Sequence, residues 1–260
     1  MSNLDAIILG LIQGLTEFLP VSSSGHLVIF QHLLGLKQPG VTFEVMVHLG
    51  TLLAVFIALW RDLVQLIRRP FCRLTYLIVI GTIPAGLAGI LLGPLFEKAV
   101  ESLLVVGVGL LITGGLLFAA DRLTVRFWFG KQVNEMGTGD ALFIGIMQGI
   151  AITPGISRSG STIAAGLLRG LDQGFAARFS FLLSIPAILG AGLVESRDLW
   201  TAGLPAQAMF PYVLGIVVAA LSGYLAIRIV LKLVQSGRLS VFSYYCWAVA
   251  IVTLGAYFLS

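Results

Sequence analysis

The sequence predicts an all-α integral membrane protein with an inverted-topology repeat, each half a re-entrant helix hairpin plus three transmembrane helices. Three observations carry this. Apolar residues make up 58% of the 260 and come in continuous blocks rather than amphipathic stripes, which marks an integral membrane chain. The segment LGLIQGLTEFLPVSSSGH (9–26) aligns without a gap on IGIMQGIAITPGISRSGS (144–161) at an offset of 135, pairing Gly10 with Gly145, Gln13 with Gln148, Gly14 with Gly149, Ser22 with Ser157, Ser24 with Ser159 and Gly25 with Gly160. Finally, the basic residues alternate between successive loops.

The elements follow in chain order. The first, 5–36, is broken at Pro20, and its piece from Ala6 to Leu19 is too short to span and carries Gln13 and Glu17, as re-entrant segments do. Three long apolar runs, 41–60, 74–93 and 100–120, complete a first repeat covering 1–130. The second repeat, 137–260, opens with 140–171, broken at Pro154-Gly155, and continues with 174–194, 208–230 and 239–259. The match runs on as LLGL (33–36) over LRGL (168–171), with a weaker echo of GTIPAGLAG (81–89) in GIVVAALSG at offset 134. A chain this long allows at most about eight or nine crossings of ~20 residues each, so one polytopic domain, 1–260, is expected with no separate soluble module.

Arg61, Arg68, Arg69 and Arg73 follow the first long run; Arg122, Arg126 and Lys131 join the halves; Arg228, Lys232 and Arg238 precede the last run. These ten of sixteen basic residues are expected in the cytoplasm. The loops GPLFEKAVES and ESRDLWTAGLP carry one basic residue each and are expected outside, which puts Ser236 inside and Gly203 outside. Three crossings per half then invert the second half relative to the first. The net charge of +4 has its source in these loops, and there is no soluble surface for a nucleic-acid patch. The N-terminus lacks the basic region and cleavage site of a secretory signal, so it is read as part of the mature chain. Cys72 and Cys246 have neither the number nor the spacing of a disulfide framework or metal site and are expected to be free thiols.

Inverted repeats with interrupted helices place a binding site where the breaks converge. The breaks here are PVSSSGH and PGISRSGST, each immediately before an apolar run and so each at a helix start. Serines at such a start cap the helix, and its free N–H groups and dipole favour an anion. Ser22, Ser24, Ser157, Ser159 and Thr162 are therefore candidate phosphate-binding residues around Arg158, whose planar fork suits phosphate or pyrophosphate oxygens. An arginine inside a membrane is costly without a function or partner. Glu17, one turn after Gln13 on the same side of its helix, is either a buried partner for Arg158 or a catalytic or metal-binding group. His26 has the chemistry of a general base, a nucleophile or a neutral hydrogen-bond donor. Glu44 and His48, four apart on the next run, are assigned a structural role. GxxxG spacings at Gly10–Gly14, Gly145–Gly149, Gly89–Gly93 and Gly166–Gly170 are expected to let helices pack closely and leave a homodimer open.

QGLTEFLPVSSSGH together with PGISRSGST resembles the bacterial undecaprenyl-diphosphate phosphatase family, also called the bacitracin-resistance proteins, and the likeness runs nearly end to end. The chain satisfies the family's glutamate-or-glutamine, three residues, glutamate pattern from Gln13 to Glu17. Its Pro-Gly-x-Ser-Arg-Ser-x-x-Thr pattern appears as Pro154, Gly155, Ser157, Arg158, Ser159 and Thr162. The resemblance implies a plasma-membrane enzyme, surrounded by membrane lipid, whose substrate is a polyprenyl diphosphate lipid. It would remove that lipid's terminal phosphate on the outer side, regenerating the carrier for peptidoglycan and conferring bacitracin resistance. It also implies a divalent cation, Mg2+ or Ca2+, and a site carried over onto Glu17, Ser23, His26 and Arg158. Glutamine in place of glutamate at position 13 leaves one carboxylate fewer for a metal held by Glu17 and Gln13. The attacking group is Ser23 activated by His26, His26 itself, or a water that His26 orients. The rival class is a transporter that moves the product lipid phosphate across the bilayer, which the same repeat would suit.

Overall fold

The structure, a computed structural model, describes residues 1–33, 41–100, 102–123, 130–202 and 209–259. Arg126, Gly203 and most of the 33–36 match lie outside these. Eleven helices are present among the described residues: α1 (Asn3–Phe18), α2 (Ser23–Leu33), α3 (Val41–Ala58), α4 (Trp60–Arg68), α5 (Arg73–Val100), α6 (Leu103–Leu123), α7 (Thr138–Ile150), α8 (Arg158–Leu168), α9 (Gln173–Ala202), α10 (Met209–Gln235) and α11 (Ser240–Leu259). Apart from one isolated bridge between Lys131 and Leu171, their regular structure is helical.

The local chemistry explains where the short helices start and stop. Ser2 and Asp5 cap α1 reciprocally, each side chain accepting the other's backbone N–H, which satisfies donors the helix cannot. At the other end Leu19 precedes Pro20 and takes an extended ψ of 138°, as a residue before proline must. Ser157 caps α8 by accepting the Gly160 N–H at 3.0 Å. Both expected breaks are therefore present, at residues 19–22 and 151–157.

Five helices, α5, α6, α9, α10 and α11, are long and apolar enough to cross a membrane, so the chain is a multi-pass membrane protein. Two expectations need correction. The run 41–60 forms α3, which ends at Ala58, where the chain turns by 81° into α4; the bent pair counts as a sixth span. Residues 60–68, expected as a basic loop, form a helix with no buried side chain. Leu63 and Leu66 lean on the core, Trp60 and Ile67 are exposed, and Arg61, Asp62, Gln65 and Arg68 supply the polar face. That pattern suits a helix lying along a membrane surface. The second correction is that α5 and α9 run on to Val100 and Ala202, so most of the two stretches expected as outer loops is helical.

The short helices α1 and α7 touch the helices that follow them but pack more closely on helices distant in the sequence. α1 lies chiefly on α10, and α7 on α5; α6 pairs with α11 and α3 with α10 and α9. Small residues permit the close crossings. A Cβ on Gly10 would stand 2.7 Å from the Gly215 carbonyl oxygen, and one on Gly145 would overlap the Gly81 carbonyl oxygen. One turn on, Gly14 faces Ala219 and Ser222, while Gly149 faces Pro84, Ala85 and Ala88. The opposite faces of the long helices expose Ile83, Leu87, Ile90 and Leu221, the apolar surface a bilayer covers.

Candidate active site

The two breaks meet. Ser159 Oγ donates to the Leu19 carbonyl at 3.0 Å, and Cys246 Sγ reaches the Pro20 carbonyl at 3.6 Å. Gly155 makes the approach possible: its φ is +84°, and a Cβ there would overlap the Val106 carbonyl oxygen of α6. Only glycine combines that backbone with that space. Thr113, two turns further along α6 than Val106, donates its hydroxyl to the Gly155 carbonyl and accepts the Ser157 N–H, both at 3.0 Å. The second break is thus braced by a helix of the first half.

Glu17, buried in the last turn of α1, is the hub. One carboxylate oxygen pairs with Arg158 Nη2 across the two breaks. The other accepts Ser23 Oγ–H at 2.6 Å and Gln13 Nε2–H at 3.0 Å, with His48 Nε2 at 3.8 Å. A buried carboxylate is tolerated only when its charge is matched and its lone pairs are used, and four side chains do this here. His48 Nδ1 faces the Glu44 carbonyl at 2.7 Å, so that nitrogen carries a hydrogen, and Nε2 is the atom turned toward Glu17. Each of the four partners comes from a different place in the sequence: α1 itself, the start of α2, α3 and the start of α8.

The structure places each expected residue. Glu17, Ser23, Gln13 and Arg158 form one hydrogen-bonded cluster. Ser22 and Ser157 cap the two helix starts. Ser159 is turned inward to Leu19 and Ser157, and Thr162 is buried, donating back into its own helix and meeting Ser180 Oγ at 2.6 Å. Ser24 is exposed at the mouth of α2. His26 is not bonded to Ser23. Its Nδ1 faces the Ser22 carbonyl and its Nε2 the Tyr245 hydroxyl, both at 2.8 Å. Sequence reasoning assigned His48 only a structural role beside Glu44 and did not point to Tyr245. An ionisable residue in an apolar helix calls for a partner, so His48 carried a signal; Tyr245, 219 residues from His26, carried none.

The cluster occurs once although the segment occurs twice. At the 135-residue offset Ser23 corresponds to Arg158 and Glu17 to Ile152. Gln148, the counterpart of Gln13, is buried with neither amide atom paired, and an isoleucine rather than a carboxylate follows it four residues on. Gln13 Oε1 is also buried without a partner, beside Glu17. Among the described residues no three His, Cys, Asp or Glu side chains gather as a metal site.

These features define a polytopic helical membrane protein whose interrupted helices hold a buried carboxylate, an arginine and a serine hydroxyl together. The family model described as "Bacitracin resistance protein BacA" matches residues 6–252, and the chain belongs to that family. It is similar to the "Undecaprenyl-diphosphatase" of Halothermothrix orenii, 47% identical over 98% of both chains. That of Carboxydothermus hydrogenoformans is 43% identical over 98% of this chain and 97% of its own. The "Undecaprenyl-diphosphatase 4" of Bacillus thuringiensis is 41% identical with the same coverage.

Proposed function

We propose that the chain is an undecaprenyl-diphosphate phosphatase, hydrolysing its lipid substrate to undecaprenyl phosphate and inorganic phosphate. Supporting this are family membership, relatives bearing that name over nearly their whole length, and one observation that carries the chemistry: Ser23 Oγ donates to Glu17, which is paired with Arg158. Phosphoryl transfer needs mainly positioning and charge neutralisation. Ser23 Oγ attacks the terminal phosphorus and passes its proton to Glu17, while the anhydride bond breaks and undecaprenyl phosphate leaves. Water then cleaves the phosphoserine. Arg158 spends Nη2 on Glu17 and has the other donors of its fork for phosphate oxygens. The helix starts behind Ser22 and Ser157 add their dipoles. His26, with both ring nitrogens engaged, orients this loop rather than serving as the base.

A divalent cation, Mg2+ or Ca2+, fits as a substrate-borne ion. Glu17 and the unpaired Gln13 Oε1 would hold it together with diphosphate oxygens, since Mg2+ sites commonly use one or two protein oxygens plus phosphate. Bound there, it would neutralise charge on the diphosphate.

The repeats, 1–130 and 137–260, are read as inverted. In support, equivalent glycines meet equivalent partners exchanged between halves: Gly10 with Gly215 and Gly145 with Gly81. Together with the loop charges this supports a site in the plasma membrane that opens outward, where removal of the diphosphate would confer bacitracin resistance and return carrier lipid to peptidoglycan synthesis. The exchanged packing equally suits a transporter of the product lipid. Purified protein incubated with undecaprenyl diphosphate decides between them. Release of inorganic phosphate with the monophosphate as lipid product supports the phosphatase; binding of the monophosphate without release supports the transporter.

A further inference from the structure

We propose that Tyr245, in the last helix, is a positioning residue for Ser23, acting through His26 and Ser22. This rests on the phosphatase reading for its consequence, though not for its geometry. α2 packs chiefly on α1, and α11 on α6, so the contact between α2 and α11 is made by side chains. The rings of Tyr245 and His26 are stacked, with centroids 5.6 Å apart and planes within 7°, and the phenol oxygen is 2.8 Å from His26 Nε2.

The tautomer follows from the partners. A backbone carbonyl only accepts, so Nδ1, 2.8 Å from the Ser22 oxygen, carries the hydrogen. Neutral His26 then offers Nε2 as an acceptor, and Tyr245 donates its O–H to it. The chain of bonds runs Tyr245 O–H to His26 Nε2, then Nδ1–H to the Ser22 carbonyl. Ser22 is the end that needs holding: its φ is +70°, a left-handed conformation that is unfavourable for a non-glycine residue. Ser23 is the next residue, and Ser22's backbone angle sets where its Oγ points. A ring free to turn would release the Ser22 carbonyl, and the hydroxyl bonded to Glu17 would lose its aim. Strain at a functional position persists only where surroundings over-determine it; Tyr245 is part of that surround. Half-exposed, at 45%, it is placed at the edge of the core rather than within it.

The test is a double-mutant cycle with a spectroscopic control. Tyr245→Phe keeps the stacked ring and removes only the donor. Phosphate release should fall about tenfold in kcat, the worth of one hydrogen bond of ~1.4 kcal/mol, with KM little changed. In a His26→Gln background the same substitution should cost less than about twofold, because the relay is already cut. Independently of activity, 15N-labelled histidine in the wild-type protein should show His26 as the Nδ1–H tautomer with a hydrogen-bonded Nε2, and Tyr245→Phe should shift the Nε2 signal. Equal losses in both backgrounds, or an Nε2 signal indifferent to Tyr245, would overturn the proposal. A wild-type protein that releases no phosphate while Nε2 still responds to Tyr245 would remove the phosphatase reading and leave the relay standing.

Discussion

Ser22 has a positive φ without being glycine, and it sits beside Ser23, the proposed attacking group. Its hydroxyl accepts the Gly25 N–H at 3.4 Å and so caps α2. Two substitutions separate cap from backbone. Ser22→Ala loses the cap and keeps the strain; Ser22→Gly loses the cap and relieves the strain. Thermal unfolding in detergent should therefore find the alanine variant less stable than the glycine variant by about 1–2 kcal/mol. Equal stabilities would mean that the left-handed turn is not maintained. The neighbouring residues show what a sequence reveals at this scale. Serines ahead of an apolar run announce a cap, and an arginine among them announces an anion or a carboxylate. The pairing of Arg158 with Glu17, by contrast, is a tertiary event 141 residues apart.

At the scale of elements, the start of α7 repays attention to charge. Asp140, at its N-terminus, accepts the Gly137 N–H at 3.0 Å, Lys131 Nζ–H at 3.1 Å and Arg169 Nε–H at 2.7 Å, and Arg169 also lies over the Phe143 ring. Arg169, readable in the sequence only as a basic residue near a helix end, is thus a clamp between α7 and α8. Burial pushes the Asp140 carboxyl up, but the Gly137 N–H, Arg169 and Lys131 outweigh it and hold it below the usual carboxylate range. A carboxyl lowered on folding stabilises the protein above its unfolded pKa, and that contribution is lost as pH falls through its folded pKa. Asp140→Asn has no such contribution to lose. The unfolding temperature of wild type should exceed that of Asp140→Asn at neutral pH, with the gap closing below about pH 4; a gap that stays constant would take the ionised carboxylate out of the account. Other elements were unequally legible. Both breaks could be located because proline and the repeat mark them. α4 could not, because arginines that cover the polar side of a surface helix read the same as arginines in a loop. The ends of α5 and α9 ran past expectation because Glu, Lys and Arg, which argue against further membrane span, are good helix formers.

For the whole molecule, the weak echo between 81–89 and 215–223 acquires meaning only once the chain is folded: Gly81 and Gly215 are the positions that receive Gly145 and Gly10. The sequence displayed the repeat, but the exchange of partners between halves depends on packing that no local pattern encodes. An inverted repeat would have a direct consequence. In a protein with Cys72 and Cys246 replaced by serine, single cysteines at Ser102, between α5 and α6, and at Ser236, between α10 and α11, should be labelled by an impermeant thiol reagent from opposite sides of the membrane. Labelling from one side would end the inverted reading.

The central claim is that one phosphoryl-transfer site is assembled from the two halves, Glu17 and Ser23 from the first and Arg158 from the second. Phosphate release from undecaprenyl diphosphate by the purified wild type, Glu17→Gln and Arg158→Lys, in detergent with saturating divalent cation, tests it most directly. Lysine keeps the charge of Arg158 but loses its planar fork. Each variant should turn over ~10²–10³-fold more slowly than wild type, the usual cost of removing one preorganised electrostatic group, with the loss mainly in kcat. Near wild-type turnover by either variant would mean that the Glu17–Arg158 pair only joins the breaks, and that the chemistry lies elsewhere.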